Sequence, residues 1–248
     1  MGEYTDRIKT IYLTRKKQLI TKYWPIRSTP ETTFIILCKP RTGSTLLHTL
    51  LNSHPNIYSY GEVLRRVAIN NTGYAVNKDV FKKHPKSIKA VGLKVFYQYS
   101  EDEQFKVFFD EIRQNRKVKI IHLKRLNDLD TFVSLKHAEF TNQWSKNNYS
   151  PDTKVSGLKP ELFELKDYLM ESVQLKKSIS EAFGKHQCLN VQYEKLVNDQ
   201  FDCLQKIQDF LKVPQKKLFT ILKKQGPGNY DHVSNYSELS AFYESFRE

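Results

Sequence analysis

The sequence predicts an α/β fold: a single domain in which a mostly parallel central sheet is flanked by helices. Three observations lead there. Short apolar runs at Phe34–Cys38, Ala90–Phe96, Val118–Leu123 and Cys188–Val191 read as buried strands. Longer stretches between them carry apolar residues at helical spacing, and that alternation suits a parallel sheet covered on both faces. The length of 248 residues fits one domain, and 39% hydrophobic with 12% aromatic residues is enough for a large core.

Each element follows from its local pattern. Ile8, Ile11, Tyr12, Leu19, Ile20 and Tyr23 fall near helical spacing, so residues 4–23 read as one amphipathic helix. Pro25, Ser28 and Pro30 break it, which divides the chain into an N-terminal helix and linker (1–30) and a main domain (31–248). Phe34–Cys38 suits a central strand. Ser44–Ser53 is a helix ended by His54-Pro55. Glu62–Ile69 reads as a short helix, Ala90–Phe96 as a strand and Glu101–Gln114 as a helix. Val118–Leu123 is a strand and Asn127–Phe140 the helix after it. Gln143–Lys159 is polar and reads as a loop or flap. Pro160–Phe183 is a long helix, Cys188–Val191 the last strand and Asp199–Leu211 a helix. From Gln225 the chain is rich in Gly, Pro and Tyr, then helical again near Ser237–Phe246. No internal repeat or low-complexity segment interrupts this order.

Charge narrows the partners. The formal net charge is +13, which attracts anions. Nucleic acid is one candidate partner and an anionic nucleotide or acidic acceptor another; the lysines are spread along the chain, which argues against a basic nucleic-acid arm. A scattered lysine excess is also what an ordinary solvated surface carries. No apolar run approaches the roughly 18 residues of a membrane helix, and the charged N-terminus lacks a signal-peptide core. The three cysteines are widely spaced, with Cys38 and Cys188 inside apolar runs. They read as small buried thiols in a reducing compartment, so the expected location is cytoplasmic.

The richest stretch is FIILCKPRTGSTLLHTLLNSHP, residues 34–55. A loop that leaves a parallel strand and enters a helix aims several backbone N–H groups at one point, and the helix dipole adds positive potential there. Gly43 permits the torsion angles such a cradle needs. Ser44 and Thr45 add hydroxyl donors, Arg41 a planar fork suited to phosphate or sulfate oxygens, and Lys39 a second charge. A nucleotide-triphosphatase loop has Lys and Ser/Thr after its last glycine and another glycine five residues before it. Here Ser44-Thr45 follows Gly43, and Cys38 occupies the earlier position. The loop is therefore expected to hold an anion without a metal. No His-Glu-x-x-His, Cys-x-x-Cys or Gly-x-Ser-x-Gly motif supports zinc hydrolysis or a nucleophile elbow.

PRTGSTLLHTLLNSHP resembles the 5′-phosphosulfate loop of sulfotransferases that use 3′-phosphoadenosine 5′-phosphosulfate (PAPS). Three later segments resemble the same family. In residues 120–138, IIHLKRLNDLDTFVSLKHA, a strand ends in Arg125 and Ser134 follows in the next helix. The resemblance implies that both grip the 3′-phosphate, with a spacing closer to bacterial branches than to many cytosolic members. LNVQYEKL, residues 189–196, resembles the segment whose tyrosine, here Tyr193, lies by the adenine. LKKQGPGNYDHVSNYSEL, residues 222–239, looks like a C-terminal stretch with a basic loop that closes on the nucleotide, which implicates Lys224.

The resemblance implies a P-loop-like sulfotransferase architecture. It further implies that Arg41, Thr42, Gly43, Ser44 and Thr45 hold the phosphosulfate, with PAPS as donor, adenosine 3′,5′-bisphosphate (PAP) as product and no metal required. Sulfuryl transfer also needs a base for the acceptor proton. Glu62, in HPNIYSYGEVLRR beside Tyr58 and Tyr60, stands where several branches place a catalytic glutamate. Its alternative role is that of an acidic residue at a helix start. His54 before a proline and His122 within a strand read as structural. Lys94 either faces the acceptor or sulfate, as basic residues there do in the family, or points to solvent from its strand end.

The acceptor is expected to be a small molecule or glycan, met by residues 65–86 and 143–159, with no nucleic acid and no membrane span. Two other functions are open at this point. A P-loop small-molecule kinase lacks its Lys-Ser/Thr here. A non-catalytic polyanion or nucleic-acid binding module leaves the spacing of the loop, Arg125 and Ser134 unexplained.

Overall fold

The computed structural model describes Lys16, Lys17, Leu19, Tyr23 and residues 25–65, 76–144, 157–222 and 230–247. Most of the expected helix over 4–23, the second half of Glu62–Ile69, most of the 143–159 flap, and Lys224 lie outside them.

The centre is β2 (Thr32–Cys38), hydrogen-bonded in parallel to β5 (Ala90–Phe96) on one side and β6 (Lys119–Lys124) on the other. β3 (Ile57–Ser59) pairs with β5, and β7 (Cys188–Gln192) with β6, both in parallel. The order β3-β5-β2-β6-β7 gives a five-stranded, wholly parallel sheet. A separate antiparallel pair joins β1 (Arg27–Ser28) to β4 (His84–Pro85), so part of the expected linker is a short strand. From β2 the chain goes first to strands on one side and later to strands on the other. That reversal opens a crevice at the carboxyl ends of the strands, where α/β proteins bind ligands.

Among the described residues, the helices with both ends defined are α1 (Ser44–Ser53), α2 (Val76–Asp79), α3 (Lys106–Gln114), α4 (Asp128–Thr141), α5 (Leu162–Phe183), α6 (Tyr193–Asn198), α7 (Gln200–Phe210) and α8 (Tyr236–Arg247). The expected helix Glu101–Gln114 is shorter: Glu103–Phe105 forms a 3₁₀ turn before α3, with Asp102 accepting from Gln104 N–H. α4 starts at Asn127, whose side chain accepts from Asp130 N–H at 3.0 Å. That cap satisfies a first-turn amide with no partner inside the helix.

Side-chain alternation along β2 divides the core. Phe34, Ile36 and Cys38 face Leu47, Leu50 and Leu51 of α1 and Leu204 and Ile207 of α7. Ile35 and Leu37 face Phe108, Phe109 and Ile112 of α3 and Leu175, Ile179 and Phe183 of α5. A third cluster joins Leu129, Phe132 and Val133 of α4 to Leu165 and Leu169 of α5 and Leu239 and Tyr243 of α8. Cys38 is buried as expected, but Cys188 is exposed, because β7 is an edge strand.

The far end of α1 is closed from the N-terminal segment. Lys17, 6% exposed, donates from Nζ to the carbonyls of Asn52 (2.5 Å), His54 and Ile57 (2.8 Å). An ammonium suits the negative end of a helix dipole, and its three donors match three acceptors. Among the described residues, no helix is long and apolar enough to cross a membrane.

Candidate active site

The loop after β2 makes its turn with two residues at positive φ, Arg41 (64°) and Gly43 (83°). Gly43 opens α1, and Leu47 N–H donates to its carbonyl at 3.0 Å. Having no side chain, Gly43 cannot cap the first turn, so the turn's free N–H groups can serve an external anion. A side chain would not fit there either: a Cβ on Gly43 would lie 2.4 Å from Cδ2 of Tyr193. Thr42 is buried, and its hydroxyl donates to the Lys39 carbonyl at 2.7 Å, bracing the loop from within.

The loop opens on a cavity of about 1000 Å³, at the upper end of the range for small-molecule sites. Arg41, Gly43, Ser44, Thr45, Glu62, Ser134 and Tyr193 all line it. The Arg41 guanidinium bridges two elements, with Nε donating to Ser134 Oγ at 3.0 Å and Nη1 to the Trp144 carbonyl at 2.7 Å.

Lys39 does not join this group. Its amine lies on the other side of the sheet, bonded to Ser172, 3.6 Å from Asp128 and 3.7 Å from the centre of the Tyr168 ring. Burial lowers its pKa to about 8, against the pull of Asp128. The expected second charge at the loop comes from Lys94 instead. Lys94 is 6% exposed, and its Nζ is 3.1 Å from Glu62 Oε2 and donates to Thr45 Oγ1 at 3.3 Å. The solvent-facing alternative for Lys94 is thereby excluded.

Glu62 is held at both oxygens, because the Tyr99 hydroxyl donates to Oε1 at 3.3 Å. Gly61, at φ 69°, turns the chain into Glu62, and His48 occupies the space where its Cβ would sit. His48 Nδ1 is 2.7 Å from Ser59 Oγ, and the Asn52 side chain bonds both the N–H and the carbonyl of Ser59. α1 thus positions the strand that leads to Glu62. Burial, aided by Lys94 and Lys17, lowers the His48 pKa to about 4, so its ring is neutral at ordinary pH. Tyr99 lies in no motif, and His48 lies inside the loop-helix stretch without a role assigned to it there; the part each plays is visible only through its neighbours in the fold.

Arg125 lies outside the cavity lining. Its guanidinium is 5.1 Å from the centre of the Tyr193 ring, and its Nη2 is 3.1 Å from Asp130 Oδ2. The remaining wall includes Tyr60, Arg65, Gln98, Glu139, Trp144 and Gln200. Arg65 and Trp144 are thus at the cavity, as the expected acceptor regions require, while residues 66–75 and 145–156 lie outside the described residues. His54 and His122 are structural, as expected. His54 accepts from Asn56 N–H and donates to the Pro214 carbonyl, and His122 is buried against the Tyr97 hydroxyl.

The family described as "Sulfotransferase domain" matches residues 31–239. The chain is 29% identical over 225 residues to nodulation protein H of Rhizobium tropici, covering 83% of this chain and 87% of that protein. It is 27% identical over 232 residues to nodulation protein H of Rhizobium meliloti strain 1021, covering 86% and 92%. In fold it is similar to a sulfotransferase from Alicyclobacillus acidocaldarius, with a TM-score of 0.50, 14% identity and coverage of 88% and 92%.

Proposed function

The chain belongs to the sulfotransferase domain family, and on that premise we propose that it moves a sulfuryl group from PAPS to a hydroxyl or amine of a small-molecule or glycan acceptor. The observation that carries this reading is the linked set of Thr45, Lys94 and Glu62 beside the Arg41–Gly43 loop. It places a carboxylate and a cation next to an anion cradle, in a cavity with room for a nucleotide and part of an acceptor.

In the proposed reaction Glu62 takes the acceptor proton. The acceptor oxygen or nitrogen bonds to sulfur as the bond from sulfur to the bridging oxygen breaks, and that electron pair leaves with PAP. Negative charge grows on the bridging oxygen and 5′-phosphate, where Arg41, Lys94, Ser44, Thr45 and the first-turn amides of α1 offer donors. No metal takes part. Arg125 and Ser134 hold the 3′-phosphate, Tyr193 the adenine side, and Lys224 closes on the nucleotide. Tyr60, Tyr99 and Trp144 offer flat faces and Arg65 and Gln98 polar groups to the acceptor. Three free thiols, Cys38, Cys188 and Cys203, support a cytoplasmic setting.

Thermal unfolding with added nucleotide is the direct test. PAP without metal should raise the melting temperature, whereas ATP with magnesium or a DNA oligomer should not. A response to the last two alone would reject the reading. With labelled PAPS and a panel of hydroxylated acceptors, Glu62→Gln should lower turnover by about 10²-fold or more while PAP binding persists.

A further inference from the structure

The two residues assigned to the 3′-phosphate already have partners within the chain. Ser134 Oγ accepts from Arg41. Arg125 Nη2 donates to Asp130 Oδ2 at 3.1 Å, with the two side chains 12% and 23% exposed. The other Asp130 oxygen, Oδ1, accepts from the Tyr230 hydroxyl. Tyr230 in turn stacks on Tyr236 at the start of α8, with ring centres 4.3 Å apart and planes at 11°. One carboxylate therefore serves the arginine that follows β6, the first turn of α4 and the segment that leads into α8.

Both carboxylate oxygens of Asp130 are bonded. Its N–H is bound by the Asn127 cap, and its position in the first turn of α4 suits a negative charge. Burial and the bond to Asp130 push the Tyr230 hydroxyl up, so it stays protonated and keeps donating. An incoming anion at Arg125 thus meets a carboxylate that has no easy way to swing aside. The guanidinium is permanently charged, and Asp130 balances that charge when no phosphate is bound.

We propose that Asp130 sets the affinity for donor and product: its carboxylate is an internal counter-anion that shares Arg125 with the 3′-phosphate and weakens the grip on that phosphate. The inference rests on the reading of Arg125 as the 3′-phosphate anchor. Two anions on one fork repel, and in a partly buried site that repulsion is several-fold larger than in water. PAP carries the same 3′-phosphate as the donor and has to leave after each turnover, so a tempered grip favours release.

Calorimetry with PAP and with adenosine 5′-phosphate, which lacks the 3′-phosphate, tests this on the full chain. Wild type should prefer PAP. Asp130→Asn should bind PAP about ten-fold more tightly and release it more slowly, with 5′-phosphate affinity unchanged. Tyr230→Phe, which keeps the carboxylate but frees its Oδ1, should raise the preference for PAP by less than Asp130→Asn does; a rise as large as that of Asp130→Asn would count against the carboxylate's charge as the cause. Asp130→Ser also removes the charge and suits a helix first turn, so it serves if the asparagine variant does not fold. An unchanged or smaller preference for PAP in the charge-removed protein overturns the role of Asp130. A wild type that does not distinguish the two nucleotides overturns the Arg125 reading beneath it.

Discussion

Gly43 combines a φ of 83° with the Tyr193 ring where a side chain would go. Gly43→Ala should therefore strain the backbone and push the ring off the loop. We expect a loss of about 2 kcal/mol in urea unfolding together with loss of PAP binding; an alanine variant with wild-type stability would show that the loop yields easily. The same close reading explains which lysine serves the loop. In β2, Phe34, Ile36 and Cys38 face α1, while Ile35 and Leu37 face α3 and α5. Lys39 continues the second set, so the period of two already placed it away from the cavity. In β5, Ala90 and Phe96 lie with the α1 side, and Lys94 shares their parity. Nearness in sequence favoured Lys39, but alternation along the strand favours Lys94.

At the scale of elements, apolar runs and periodic segments were legible, down to the four residues Cys188–Val191, and the shortest elements were not. Ser44–Ser53 and Ala90–Phe96 match their expected bounds. β3 is three residues long, too short for any period to register, yet it carries the chain to Glu62. Tyr193–Asn198, to which no element was assigned from the sequence, forms α6 and sets the Tyr193 ring against Gly43. α4 positions both Asp130 and Ser134, and its start depends on one cap. Asn127→Ala should cost about 1 kcal/mol, read as a lower urea midpoint. A larger relative loss in PAP affinity than in adenosine 5′-phosphate affinity would accompany a shift of that first turn.

For the whole molecule, burial of histidines predicts acid sensitivity. His48 and His122 are held down to about 4 from 6.5, chiefly by burial, and His54 and His84 move the same way. Between those values the unfolded chain binds protons that the folded chain refuses. This contribution is therefore complete above about pH 6.5 and is lost as pH falls through about 4, by up to about 3 kcal/mol for each of the first two. The urea midpoint should be clearly lower near pH 5 than near pH 7.5; equal midpoints would mean these rings are reached by solvent. What no local pattern contains is the strand order, because β3-β5-β2-β6-β7 depends on which crossovers pack on which face. The Arg41 bridge to Ser134 and the Asp130 bridge from Arg125 to Tyr230 depend on it too, since each joins residues distant in the chain or in neighbouring elements.

Lys17 lies ahead of the segment 31–239 that the family match covers, yet its amine reaches into the protein to touch Asn52, His54 and Ile57. A gene trimmed to begin at residue 31 would keep every recognisable motif and still leave those oxygens without their donor. The usable boundary for expression or domain exchange therefore runs upstream of the boundary that homology draws.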